Sequence, residues 1–171
     1  VDRRPEALLA RLIAEHDAPH TAALHLPDDK LSVVSASPEL FLRREGRLIE
    51  SRPIKGTTEP GAPFLPKDRA ENVMIVDLLR NDLGRVCQPG SIQVPQLVGL
   101  ESYAQVHHLT SVVTGKLKKD LSWVDLLEAC WPGGSITGAP KIKTMQIITV
   151  VEAGPRQIYT GTFGWVAPGR Q

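Results

Sequence analysis

The sequence predicts an α+β fold, made mainly of antiparallel β-sheet layers with helices packed outside. Three short segments in the first third of the chain, residues 21–26, 30–35 and 47–50, have the composition and alternation of strands and are separated by turn signals. Two longer segments of the same kind follow at 91–100 and 103–117. Because short turns join consecutive strands most easily in antiparallel pairs, these segments predict a meander.

Composition describes one ordinary globular domain and excludes several classes of protein. The chain has 171 residues, a net charge of +1 and 42% hydrophobic residues. That length supports a real core, and the charge offers no electrostatic footprint for nucleic acid or an anionic membrane. No apolar run reaches the length of a membrane span, and no signal peptide is recognisable. Cys87 and Cys130 form no CxxC pair, so we expect a reducing, cytoplasmic setting rather than a disulfide scaffold or zinc site.

Four helices are predicted by apolar residues at helical spacing and by their flanking residues. The first runs from Pro5 to Glu15. The second begins at Asp68 and ends at about residue 81, where Gly84 stands at a capping position. Ser122 caps a third helix that reaches Cys130, and Pro140 opens a fourth that reaches about residue 151.

A short, constrained segment presents one lysine. Pro53 restricts the backbone before Lys55, and Gly56 allows a tight turn or a close approach to a ligand after it. Arg52 lies three residues earlier, and a nearby cation together with partial burial favours the uncharged amine, which is a nucleophile. An ordinary surface lysine is the alternative. In the predicted meander Glu39 and Lys55 lie on neighbouring strands or at the ends of those strands, so that a carboxyl group and an amine could meet across the pairing.

Two carboxylates begin the second predicted helix. Asp68 stands at an N-cap position with Glu71 three residues later, which is the arrangement of a capping box. Residues three apart share one helix face, so the pair could also bind Mg²⁺ if water, phosphate or further carboxylates complete the shell. The residues alone favour capping and leave the metal site open.

Two adjacent histidines lie in the segment 103–117. Because neighbouring residues of a strand point to opposite faces, His107 and His108 face different sides of the sheet. A histidine on a strand is most often a hydrogen-bonded structural residue, and this interpretation stays open beside a functional one.

A glycine-rich stretch, residues 133–138, comes just before the helix that Pro140 begins. Backbone N–H groups at a helix N-terminus can bind anions. Ala139-Pro140 stands where a P-loop carries lysine and then serine or threonine, so a carboxylate fits better than a nucleotide phosphate. A plain loop–helix junction is the alternative. The chain closes with a predicted strand at 157–167.

Five motifs occur in the order in which one known family carries them. They are Ser-Pro-Glu-Leu-Phe at 37–41, Pro-Ile-Lys-Gly-Thr at 53–57, Glu-Asn-Val-Met-Ile-Val-Asp-Leu-Leu-Arg-Asn-Asp at 71–82, Val-His-His-Leu at 106–109 and Gly-Gly-Ser-Ile-Thr-Gly-Ala-Pro-Lys at 133–141. By these motifs the chain closely resembles the chorismate-utilising enzymes. Lys55 is the discriminating residue: in this family, lysine at that position marks component I of aminodeoxychorismate synthase, and alanine marks anthranilate synthase.

The resemblance implies amination of chorismate to 4-amino-4-deoxychorismate, a precursor of p-aminobenzoate and folate. In the family, the amine that matches Lys55 attacks C2 of the ring while the C4 hydroxyl leaves. The glutamate that matches Glu39 is the general acid for that hydroxyl. Ammonia from a glutamine amidotransferase partner then adds at C4 and expels the lysine. Because a general acid works best with a pKa near the working pH, we expect the pKa of Glu39 to lie above its ordinary value of about 4.3.

The resemblance also implies roles for seven further residues. Glu71 matches a Mg²⁺ ligand and Asp68 stands where a companion carboxylate is found, so Mg²⁺ is the expected cofactor. The residues that match substrate-contacting positions are Gly56, Thr57, His108, Ser135 (a threonine in relatives) and Tyr159.

The family pattern continues past the end of this chain, with an arginine that binds a substrate carboxylate, a glycine-rich segment and a second pair of metal-binding glutamates. We therefore expect residues 1–171 to be part of a single chorismate-binding catalytic domain that is truncated at both ends and poorly active alone. Two alternatives stay open. One is another chorismate user, such as an anthranilate, isochorismate or salicylate synthase, and the other is a non-catalytic fragment or binding domain.

Overall fold

A computed structural model describes residues 4–16 and 18–167 of the chain. The described residues form helices and strands in this order: α1 (Pro5–Glu15), β1 (His20–Leu26), β2 (Leu31–Ser37), β3 (Leu40–Glu45), β4 (Leu48–Arg52), β5 (Ile54–Thr58), α2 (Pro66–Val86), β6 (Gln93–Ser102), β7 (His107–Lys116), α3 (Trp123–Cys130), α4 (Gly134–Thr137) and α5 (Lys141–Val151). All strand pairs in this part of the chain are antiparallel, which confirms the predicted α+β class.

The first two strands form a hairpin of their own. Strand β1 pairs with β2 in regular register from His20 opposite Ser37 to Leu26 opposite Leu31. Helix α1 packs against both strands. The predicted helix at 5–15 is therefore confirmed, and a turn at 27–30 stands where turn signals separate the first two predicted strands.

Strand β7 is the centre of a five-stranded sheet. One of its edges pairs with β6, and the other pairs with β5 near the start of β7 and with β4 near its end. Strand β3 adds to the outer side of β4. Pro53 separates β4 from β5 because proline has no N–H to give to a ladder, but its carbonyl still accepts a hydrogen bond from the Ser111 N–H at 3.1 Å.

Helix α2 covers one face of this sheet, and α3 packs beside it. The buried core between them is apolar, with Leu83, Val113, Leu117 and Leu126 fully buried. Residues of the five-stranded sheet and of both helices thus share one core. The part of the chain that the structure describes has no helix that is both long and apolar enough to span a membrane.

The start of α2 differs from the prediction. The helix begins at Pro66, with Leu65 as its N-cap, so Asp68 is its third residue and not its cap. Proline is well suited to a first helical turn because its missing N–H would have had no helical partner there. Asp68 nevertheless helps to cap the helix: its Oδ2 accepts a hydrogen bond from the Leu65 N–H at 2.8 Å.

The end of α2 also differs, and Gly84 does not cap it. The helix continues to Val86, and the Cys87 N–H donates to the Leu83 carbonyl at 2.7 Å. A glycine inside a helix costs about 1 kcal/mol. Burial of Leu83 and Val86 in the core contributes about 1.5–3 kcal/mol for each side chain, and this outweighs that cost.

The third and fourth predicted helices are confirmed, whereas the final strand is wrong. Ser122 accepts a hydrogen bond from the Asp125 N–H at 3.2 Å and caps α3, and α5 follows Pro140. Residues 157–160 form turns, and 161–167 have no regular structure. A strand needs a neighbour to receive its backbone hydrogen bonds, and among the described residues this segment pairs with none.

Candidate active site

A β-bulge in β5 presents Lys55. Ile54 lies opposite Thr110 and Thr57 opposite His108, so β5 uses one more residue than β7 over this interval. Gly56 lies in the bulge with φ of +91°. Bulges next to functional sites change the direction in which side chains point.

Gly56 is required by space as well as by its backbone torsion. A Cβ added there would lie 2.9 Å from the Asp68 Cβ and 3.1 Å from the Leu109 Cδ1. The backbone after Lys55 is thus pressed against the first turn of α2 and against β7. This close approach holds the lysine on a constrained segment, as its neighbours in the sequence predicted.

The side chain of Lys55 reaches the glycine-rich stretch. Its Nζ donates a hydrogen bond to the Ser135 carbonyl at 3.1 Å, across 80 positions of sequence. Ser135 belongs to the short helix α4, and both residues are half-buried. The motif at 53–57 and the glycine-rich motif at 133–141 therefore meet at this amine.

Glu39 completes the group. The Ser135 hydroxyl, the Ile54 N–H and the Lys55 amine all lie close enough to its carboxylate to stabilise the charged form. Burial raises the pKa of Glu39, and these three neighbours oppose the rise without cancelling it. The structure thus brings Glu39 and Lys55 together and confirms the predicted direction of the carboxyl pKa.

A second polar pair follows directly along β5. The Thr57 hydroxyl and the His108 Nδ1 are 2.8 Å apart, and the Tyr103 ring stands edge-on to the His108 ring with centroids 5.5 Å apart. Burial lowers the pKa of His108, although Glu101 opposes this. The neutral ring is thus favoured, with one nitrogen as donor and the other as acceptor.

Three buried polar residues that support this site received no role from the sequence. Asn72 donates through Nδ2 to the Leu109 carbonyl at 2.9 Å and to the Lys55 carbonyl at 3.5 Å. Asp82 and Lys141 form a buried ion pair. The sequence could have indicated Asn72 and Asp82, because polar residues on the apolar face of a long helix need partners inside the protein.

The two carboxylates predicted to bind Mg²⁺ lie one turn apart near the start of α2. Asp68 is half-buried beside Gly56 and its Oδ2 caps the helix, whereas Glu71 is exposed. Within residues 4–16 and 18–167, no three His, Cys, Asp or Glu side chains are grouped closely enough to hold a metal ion. These residues can supply two oxygen ligands and do not form a protein cage, so Mg²⁺ stays a prediction.

Tyr159 is not brought to the Lys55 group. It lies on the irregular segment after α5 and is 75% exposed. Its N–H donates a hydrogen bond to the Arg156 carbonyl at 3.0 Å, three positions earlier in the chain. The implied role of Tyr159 in substrate binding also stays a prediction.

Comparison with protein families identifies relatives of the whole chain. The model of the chorismate binding enzyme family matches residues 1–171. The aminodeoxychorismate synthase component 1 of Klebsiella aerogenes is 46% identical over 88% of this chain and 36% of its own length. The chloroplastic aminodeoxychorismate synthase of Arabidopsis thaliana is 44% identical over 94% of this chain and 19% of its own length.

Solved structures show the same fold. Anthranilate synthase component I of Streptococcus pneumoniae superposes with a TM-score of 0.76 at 30% identity, over 89% of this chain and 35% of the other. An isochorismate synthase of Bacillus anthracis gives 0.71 at 26% identity, over 91% and 45%. The chain spans between 19% and 37% of the length of the aminodeoxychorismate synthases that it matches.

Proposed function

The chain belongs to the chorismate binding enzyme family, and we propose that it carries the chorismate-aminating site of an aminodeoxychorismate synthase. The observation that carries this proposal is the Lys55 amine, held 3.1 Å from the Ser135 carbonyl beside the Glu39 carboxyl group, whose pKa is raised by burial. Relatives that bear the name aminodeoxychorismate synthase are 40–48% identical to this chain, which supports the same assignment.

The proposed chemistry needs Lys55 as the uncharged amine and Glu39 as the uncharged acid. Transfer of a proton from the ammonium of Lys55 to the carboxylate of Glu39 produces both reactive forms at once. Burial of Glu39 favours that transfer, because a desolvated carboxylate is less stable than the acid. The pair thus has the arrangement of a nucleophile next to a general acid.

The reaction then proceeds in two displacements. The Lys55 nitrogen forms a bond to C2 of chorismate, the ring double bonds shift, and the C4 hydroxyl leaves as water with the proton of Glu39. Ammonia next forms a bond to C4, the double bonds shift back, and the bond between C2 and the lysine nitrogen breaks. The sum is chorismate plus ammonia giving 4-amino-4-deoxychorismate plus water. Occupation of C2 by Lys55 is what directs ammonia to C4.

The remaining residues of the proposal bind and orient the ring. Gly56, next to Lys55, lets the backbone approach closely, and Thr57 with the neutral His108 offers donors and acceptors further along β5. Ser135 stands between the nucleophile and the acid, because its carbonyl accepts a hydrogen bond from Lys55 and its hydroxyl lies close to Glu39. Tyr159 is proposed to bind a substrate carboxylate.

Mg²⁺ is proposed as the cofactor, with Glu71 and Asp68 as protein ligands. Support comes from two carboxylates on one face of α2 near Gly56, which water and substrate oxygens would complete. When bound, the ion would hold the ring carboxylate and offset its charge. Calorimetric titration of Mg²⁺ into the protein should show weaker binding for Glu71→Gln and no change for Arg69→Gln, an exposed residue of the same helix.

A partner is proposed to supply the ammonia. Several bacterial relatives are named component 1, which implies a second component, and we propose that it is a glutamine amidotransferase.

A cytoplasmic location is proposed for the protein, although the rice and Arabidopsis relatives are named chloroplastic. Residues 1–171 are proposed to be part of a single catalytic domain, in line with the family match over all of them.

The test of the proposed nucleophile is the intact mass of the protein after incubation with chorismate and Mg²⁺ without ammonia. We expect an adduct of chorismate minus water, located on Lys55 by peptide mapping and absent from Lys55→Ala. Lys67→Ala is the matched control, because Lys67 is an exposed lysine outside the site, and it should keep the adduct.

Two results would contradict the proposal. An adduct of the same yield in Lys55→Ala would show that another group reacts. With ammonia added, a product whose nitrogen is at C2 would identify an anthranilate-forming enzyme, because C2 would then have been open to ammonia itself.

A further inference from the structure

A buried ion pair lies behind the site and takes no part in the proposed chemistry. Asp82 of α2 and Lys141, the first residue of α5, are in contact, and their side chains are only 5% and 10% exposed. The Nζ of Lys141 also donates to the Cys130 carbonyl at 3.1 Å, at the end of α3. One ammonium group therefore joins three helices.

This ammonium closes the glycine-rich stretch into a loop. Cys130 precedes the stretch and Lys141 follows it, so the hydrogen bond between them ties its two ends together. The same lysine ties both ends to α2 through Asp82. The loop is thus attached at its base to the helix that also carries Asn72, the residue that binds the backbone of Lys55.

The loop is closely packed against α2 and β3. A Cβ on Gly134 would lie 2.6 Å from the Leu78 Cδ2 of α2, and a Cβ on Gly133 would lie 3.3 Å from the Phe41 Cε2 of β3. Ser135 is the next residue. The position of Ser135 relative to α2 and the sheet is therefore determined by the packing of these two glycines and by the contacts of Lys141 at the ends of the loop.

Stability alone is a poor explanation for the pair. Desolvation of two charges offsets much of their attraction, and an apolar pair of similar size often stabilises a protein as well or better. Buried ionic groups in some proteins instead select one arrangement among several. Ser135 needs one arrangement, because its carbonyl and hydroxyl must meet Lys55 and Glu39 together.

We propose that Asp82 and Lys141 are positioning residues, whose ion pair fixes the loop 133–138 so that Ser135 holds Lys55 and Glu39 in reacting geometry. The effect on the reaction rests on the proposed function. Lys141 acts from behind the loop and does not bind substrate, since its amine already contacts Asp82 and the Cys130 carbonyl.

The test replaces the pair by apolar residues in the intact protein. In the double variant Asp82→Leu with Lys141→Met, no buried charge is left unpaired, and we expect only a small fall of the urea midpoint, because the Cys130 carbonyl loses one donor. Hydrogen exchange of residues 131–140 should become at least about tenfold faster. The kcat for amination should fall by about 10- to 100-fold, because small displacements of positioning groups have effects of this size, while KM changes little.

Asp77→Asn is the matched control. Asp77 belongs to the exposed ion pair of α2 with Arg80 and should change neither exchange in the loop nor kcat. A folded double variant with wild-type exchange in 131–140, or one with faster exchange but unchanged kcat, overturns the proposal. If the double variant does not fold, Asp82→Asn decides by the same two readouts, because it keeps a side chain of the same shape.

Failure of the proposed function gives a different result. If the complete protein, of which residues 1–171 are proposed to be part, forms neither the Lys55 adduct nor aminated product, the amination chemistry is wrong. The exchange comparison still decides whether the ion pair fixes the loop: unchanged exchange overturns the positioning role, and faster exchange confined to 131–140 supports it.

Discussion

Replacement of Asn72 by alanine tests how the segment with Lys55 is held. Asn72 is 1% exposed, and its amide group binds three partners. Its Nδ2 donates to the Leu109 carbonyl at 2.9 Å and to the Lys55 carbonyl at 3.5 Å, and its Oδ1 accepts from the Ser111 hydroxyl. One side chain thus links α2 to β5 and to the central strand β7.

The expected loss follows from these contacts. Two of the three hydrogen bonds are well formed, and a buried partner left without its hydrogen bond costs about 1–3 kcal/mol. The Ser111 Oγ keeps one hydrogen bond, because it also accepts from the Val98 N–H at 2.9 Å. Its contribution to the loss therefore lies at the low end of this range. The truncated side chain adds about 1 kcal/mol of lost packing. We therefore expect Asn72→Ala to lower the free energy of unfolding by about 3–4 kcal/mol.

Urea unfolding, followed by circular dichroism and extrapolated to water, measures this loss. Arg69→Ala is the control on the exposed face of the same helix and should change stability by less than about 0.5 kcal/mol. A double-mutant cycle with Ser111→Ala should give a coupling of at least about 0.5 kcal/mol. A loss below about 1 kcal/mol for Asn72→Ala, or no coupling to Ser111, would refute the role described for this amide.

Three further predictions concern single residues of the site and the core. Gly56→Ala should destabilise the protein more than Gly61→Ala, as measured by urea unfolding, because both have positive φ but only the Cβ at 56 meets other atoms within 4 Å. Glu39→Gln should abolish amination, measured by product formation, and should not destabilise the protein at pH 7. Cys130 should resist alkylation by iodoacetamide in the native protein at pH 8, because it is buried and burial raises its pKa to about 12.

The sign of the Glu39 effect follows from proton linkage. Its pKa is higher in the folded than in the unfolded state, so the folded protein binds this proton more tightly. The resulting stabilisation is complete below the unfolded pKa and is lost as the pH rises through the folded pKa. The free energy of unfolding of the wild type, relative to that of Glu39→Gln, should therefore fall with rising pH over that interval. A rise of this difference over the same interval would contradict the argument from burial.

The other two predictions have equally direct tests. Equal losses for alanine at 56 and 61 would show that only the backbone torsion matters and that the contact with Asp68 is relieved at no cost. Alkylation of Cys130 at the rate of a free thiol, in protein that remains folded by circular dichroism, would show that the core around it opens readily. Alkylation in urea is the positive control.

Much of the local structure was predictable because its causes lie within a few residues. The Ser122 cap depends on a hydrogen bond three positions away, and the hairpin of β1 and β2 depends on alternation around one turn. The choice of Lys55 and Glu39 also came from the sequence, through the motifs around them. Their proximity was expected from a meander in which neighbouring strands lie side by side.

The sequence by itself therefore determined the fold class and the family, and it predicted Lys55 and Glu39 as the reactive pair. The tertiary structure decided what holds that pair in place: the Lys55 contact to Ser135 spans 80 positions and the Asp82 contact to Lys141 spans 59. It also decided where α2 ends and that 157–167 is not a strand. A helix end depends on which side chains reach the core, and a strand depends on a partner for its backbone hydrogen bonds. Neither condition is visible in a local pattern, because both are met only when distant segments pack together.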